Sequence, residues 1–157
     1  MKPLTAKIIK AGLIVGTLDI LSAFIHVCIK TGSPHIPDIL KFIASGIFGK
    51  DASSGGIGMV LAGLVFHYVI AFTWTIFFFW LYPKIKAASK NRIWTGIVYG
   101  IFVWVVMNLV VVPLSNIPHR DFNIWNALIN TIILMVCVGL PLSFMASVHF
   151  KHTKNTA

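Results

Sequence analysis

One carboxylate, Asp19, sits inside a long apolar stretch of the chain, and the histidines His26 and His67 have similar surroundings. Carboxyl and imidazole groups are the side chains that hand protons on when their surroundings permit it. Placing a charge at the centre of a bilayer costs at least ~2.5 kcal/mol on insertion scales, so such residues turn toward protein or water. The chemistry open to them is relay of a proton or ion, or contact with a polar substrate. The plainer alternative for Asp19 is a structural hydrogen bond to Thr17, Ser22 or a neighbouring helix. For His67 and His26 it is polar contact between helices. Asn108 and Asn130 complete the polar set, and their residue type points first to packing hydrogen bonds.

Spacing groups these residues. Gly12, Gly16, Asp19, Ala23 and His26 fall within an arc of roughly 80° on a helix at 100° per residue. That face is small and polar, and Gly12-x-x-x-Gly16 lets another helix come close to it. Gly63, His67, Ala71 and Trp74 share a second face. Gly96-x-x-x-Gly100 lies on a third segment with Asn108, and Asn126, Asn130, Cys137 and Pro141 share a fourth. At ~1.5 Å per residue, Asp19 lies about 12 Å from one end of its segment and His67 about 15 Å from an end of its own, so both fall near the midplane. His26, Asn108 and Asn130 lie nearer one surface, and a polar track from midplane to surface is geometrically open.

Other chemistries find no pattern. His26 and His67 differ in depth by roughly half a membrane on the same rise, which argues against haem held between them. There is no HExxH, no Ser-His-Asp order and no phosphate-cradling glycine loop. The glycines at 46, 49, 55, 56 and 58 fall on the side assigned below as non-cytoplasmic, where nucleotides are scarce. Cys28 and Cys137 sit inside apolar runs without CxxC spacing and read as buried core residues. We therefore expect no catalytic residues, no metal ligands and no cofactor.

The segments that carry these residues are four apolar runs, 11–29, 57–82, 93–112 and 124–148, each about the 20 residues that cross ~30 Å of hydrocarbon as a helix. Backbone groups in lipid must be satisfied within the segment, and the period-two alternation of a membrane β-barrel is missing. The expected fold is all-α, a single polytopic domain over 1–157 built as a four-helix bundle. Composition agrees: hydrophobic residues are 57% and charged residues 11%, against roughly 25% charged in soluble chains. The net charge of +9 gathers at the ends of the apolar runs, as in proteins that meet lipid headgroups. Nucleic acid is therefore not an expected partner. The first run, basic at its start, reads as a retained helix and not a cleaved signal.

Between the first two runs, Asp38 is a plausible helix cap. Ile39, Leu40, Phe42, Ile43, Ile47 and Phe48 then recur at helical spacing, which predicts an amphipathic interfacial helix over 38–48. Lys2, Lys7, Lys10, Lys84, Lys86, Lys90, Arg92, Lys151 and Lys154 fall on one side, and only Lys30, Lys41, Lys50 and Arg120 on the other. The positive-inside rule puts the first side, with both termini, in the cytoplasm. Trp80, Tyr82, Trp94 and Trp125 are expected in aromatic belts.

The stretch from His67-Tyr-Val-Ile-Ala-Phe through Tyr82-Pro-Lys-Ile-Lys to Gly96, Gly100, Asn108 and Pro113-Leu-Ser resembles uncharacterised bacterial inner-membrane proteins of the YagU-like kind. In those, a His-bearing span closes with a Pro-Lys loop. A Gly-rich span follows and ends in a polar residue five positions before a proline. The resemblance covers about a third of the chain, residues 67 to 115. The pattern Ala44-Ser45-Gly46, Gly55-Gly56, Gly63 and His67 also resembles short four-span bacterial proteins. What this implies is a bacterial inner-membrane location and no established reaction.

Two readings of function follow. One is a small transporter or proton/ion pathway with Asp19 titrating and His67 as its partner; four spans enclose little volume, so a homo-oligomer would supply the path. The other is a structural or accessory protein that binds membrane lipid or a partner protein through the loop from Ser33 to Gly56.

Overall fold

The computed structural model describes residues 4–88, 91–117 and 123–154. Of the described residues 91% are helical and none lies in a strand. Helix α1 (Leu4–Thr31) leads to the short helices α2 (Ile36–Phe48) and α3 (Asp51–Ser54) and then to α4 (Ile57–Ala88). Helix α5 (Arg92–Leu114) and helix α6, over 124–154, complete the chain. The helices α1, α4, α5 and α6 are each long and apolar enough to cross a membrane. This is the architecture of a multi-pass, four-helix membrane protein.

Helix bounds move outward from the sequence expectation because apolarity stops at the hydrocarbon edge while hydrogen bonding does not. Helix α1 begins before Lys7 and Lys10, and α4 runs through Pro83 to Ala88. Helix α2 starts at Ile36, two residues before the expected cap. Pro37 fits the first turn, where its missing N–H is no loss. Asp38 is thus a first-turn residue bonded to His35 Nδ1 at 3.1 Å, and it caps nothing. The true side-chain caps are asparagines. Asn91 accepts from the backbone N–H of Ile93 and Trp94, and Asn123 from that of Asn126.

Two of the long helices change pitch. Met107–Val111 in α5 and Leu134–Gly139 in α6 are π-helical. In each case one residue follows and then a proline, Pro113 or Pro141. A proline leaves the carbonyl four residues before it without its usual donor. Just before each proline the turn is wider, with an N–H reaching back five residues, Val112 to Met107 and Leu140 to Met135.

Helices α1 and α4 pair antiparallel, with Gly12 under the Phe72 ring and Gly16 under the Tyr68 ring. Helices α5 and α6 also pair antiparallel, here backbone to backbone: Gly96 faces Gly139 and Leu140, and Gly100 faces Met135. The two hairpins join through α1 against α6. Between α4 and α5 the space is filled by rings. Tyr99 lies 4.5 Å from Phe78 centroid to centroid, and its hydroxyl donates to the Trp74 carbonyl at 2.6 Å.

The core of Ala11, Val15, Phe78, Tyr82, Tyr99, Val103, Leu142 and Ala146 occupies the end of the bundle away from α2. Tyr82 is buried there, stacked on Phe150, and does not join an aromatic belt. Trp80, Trp94 and Trp125 are exposed as a belt requires. At the α2 end packing is looser. No residue of α1 beyond Ile20, of α5 beyond Val103 or of α6 before Val138 is fully buried.

Candidate intramembrane polar site

The site starts from a glycine. With no Cβ, Gly16 lets α4 approach until the Tyr68 ring and the Ala71 methyl touch the backbone of α1. That approach brings the imidazole of His67 onto the Gly16 carbonyl, with Nε2 to O at 2.8 Å. A carbonyl oxygen only accepts, so Nε2 carries the hydrogen and donates. Proton exchange by this imidazole is thereby left to Nδ1. His67 is 8% exposed. On the other side of the same glycine, the Tyr68 hydroxyl and Thr17 Oγ1 share a hydrogen bond of 2.9 Å.

Asp19 lies one turn along α1 from Gly16 and is half-buried. Its electrostatic neighbour is His67. Neither structural partner expected from sequence takes its carboxylate. The Ser22 hydroxyl donates to the Asp19 backbone carbonyl at 2.7 Å, and Thr17 is taken by Tyr68. Among the described residues no hydrogen bond reaches the carboxylate.

The rest of the polar track differs from the expected one. His26 lies half-buried on the same row of α1, two turns toward α2. Asn108 is exposed, and its amide donates to the Trp104 carbonyl of its own helix at 3.0 Å. Asn130 is exposed too. The structure therefore brings neither to Asp19. The link across the mouth of the bundle is instead Lys30 Nζ to Asn126 Oδ1 at 3.2 Å, joining the end of α1 to the start of α6. Lys30 is four residues past His26, so this continuation was readable from spacing, but its partner helix was not.

The remaining glycines shape the frame. Gly63, one turn before His67, lies directly under the backbone of Leu40, so α2 folds back over α4. Gly139, which the sequence reading passed over, is the partner of both Gly96 and Gly100. Its signal was faint, a lone glycine two residues before Pro141. Cys28 and Cys137 are free thiols, half-buried, and not the deep core residues expected. Compared with family models, with curated proteins and with solved structures, the chain matches none.

Proposed function

We propose that this chain provides a proton or ion pathway in a bacterial inner membrane, with Asp19 as the titrating group and His67 as its partner. The observation that carries the reading is a mid-span carboxylate that no hydrogen bond satisfies among the described residues, beside an imidazole whose Nε2 is already committed. A proton taken up by Asp19 has His67 Nδ1 as the nearby base. His26, Ser22 and Lys30 continue the row toward the α2 end, where no residue of α1 beyond Ile20 is fully buried. The buried rings at the other end form the barrier. No bond-making catalysis is part of this reading.

The basic residues favour cytoplasmic termini, which puts the open end outside. Lys2, Lys90 and Arg120 of that count lie outside the described residues. A second copy of the chain covers the loosely packed half, and the path runs within a homo-oligomer. The resemblance to YagU-like proteins supports the membrane assigned.

The test is proton flux into liposomes holding the purified chain, native against Asp19→Asn, between about pH 5 and pH 8. The expected outcome is flux in the native chain and its loss in the variant, with helicity unchanged. Equal flux in both takes Asp19 out of the pathway, and no flux in either removes the pathway. It leaves an accessory role, for which α2 laid on Gly63 offers the contact surface.

A further inference from the structure

A polar cavity of about 310 Å3 lies away from the Asp19–His67 pair, between the polar face of α2 and the turn that follows it. Asp38, Lys41, Phe42 and Ser45 follow one another at helical spacing along α2. Gly49, with φ of 58°, turns the chain sharply so that Lys50 and Ser53 close the other wall. We propose that this cavity binds the phosphodiester headgroup of an anionic phospholipid.

The first support is charge. Two ammonium groups line the space, while its one carboxylate, Asp38, is already held by His35. Lys41 uses a single donor on the Ser53 carbonyl at 3.4 Å, and Lys50 makes no side-chain bond or ion pair among the described residues. A lysine ammonium has three donors, so several remain to be met by phosphate oxygens. The second support is the hydroxyls. Ser45 and Ser53 donate to the carbonyls of Phe42 and Lys50, each at 2.7 Å. Their oxygens are left as acceptors, which suits a hydroxyl-bearing headgroup such as glycerol.

The third support is place. Helix α2 packs Leu40 and Ala44 against the bundle while Ile47 and Phe48 stay 58% and 42% exposed. Exposed apolar residues beside lysines describe a helix lying at the level where acyl chains give way to headgroups. The helix is fixed at that level. Phe48 stacks on Phe66 of α4, and Asn116, just past α5, bonds the carbonyls of Gly46 and Ile47. Helix α2 joins α1 to α4, so the site lies at one membrane surface whichever way the protein is oriented, and it does not depend on Asp19.

The test is native mass spectrometry of the full chain in detergent, titrated separately with phosphatidylglycerol, phosphatidylcholine and inorganic phosphate. The expected result is retention of phosphatidylglycerol over phosphatidylcholine. Affinity should fall roughly 30-fold in the Lys41→Ala/Lys50→Ala chain. It should recover in Lys41→Arg/Lys50→Arg and stay unchanged in Lys10→Ala/Lys84→Ala. Equal retention of both lipids, or an unchanged affinity in the alanine pair, would overturn the proposal. Displacement of phosphatidylglycerol by millimolar inorganic phosphate would overturn the lipid assignment, marking a site for the free anion instead.

Discussion

At the scale of single residues, the polar groups divide by whether a partner exhausts them. Asn108 is spent on the carbonyl four residues back, a bond any helical asparagine can form without help from the fold. His67 is half spent: Nε2 donates to the Gly16 carbonyl, and Nδ1 is not used in that bond. The Asp19 carboxylate accepts no hydrogen bond among the described residues. Two substitutions at His67 separate its structural part from its proposed part. His67→Gln keeps a donor for the Gly16 carbonyl, and His67→Leu removes it. We expect thermal denaturation in detergent to show little loss for glutamine. For leucine we expect a loss of roughly 0.6 to 1.5 kcal/mol, the range for hydrogen bonds between membrane helices and in proteins generally. Both should abolish proton flux, since neither side chain titrates. Flux that survives in the glutamine chain would take His67 out of the pathway.

At the scale of elements, glycines decide which helices meet and how closely. The pairs Gly12/Gly16 and Gly96/Gly100 have the same spacing, yet rings fill the notches of the first and backbone fills those of the second. Gly139 is the sharper case, because an added Cβ would meet the Gly96 carbonyl and the Gly100 backbone at once. Backbone on both sides cannot rotate away as a ring can. Gly139→Ala should therefore destabilise the chain by about 1–3 kcal/mol, the usual cost of overpacking. Gly58 has open space around it, so Gly58→Ala should stabilise by about 0.4–1 kcal/mol through the unfolded state. Denaturation midpoints of the two variants moving in opposite directions would support the assignment; a shared direction would refute it. Gly63→Ala tests the docking of α2. Hydrogen exchange over residues 36–48 should rise in that variant, while exchange in the core of α5 stays slow.

The whole molecule is packed unevenly along its length. Rings and small residues close one end, and the α2 end holds half-buried positions around Ser22, His26 and Asn126. If water reaches Asp19, it enters there. In a chain with Cys28 and Cys137 replaced by alanine, a single cysteine at Ala23 should react with a membrane-impermeant maleimide in intact vesicles. One at Ala146 should not, since that position is fully buried. Labelling at Ala146 and not at Ala23 would reverse the open and closed ends.

What the sequence determined by itself follows from one dimension. Lipid demands internal hydrogen bonds and a fixed apolar length, so the four long helices and their order were readable from the residues alone. The amphipathic helix beside them was readable by periodicity, within two residues at its start. Rotation about each helix axis is a different quantity. Hydropathy is nearly uniform around α1 and α4, and the face each helix turns inward is set by what the others offer. Hence Tyr82 belongs to the core and not to a belt, Asn108 and Asn130 turn out of the site, and Gly139 becomes the partner of two glycines some 40 residues away. The meeting of His67 with Gly16 was decided at that level, because only the close approach of α4 at a residue without a side chain brings the imidazole within reach of the backbone beside Asp19.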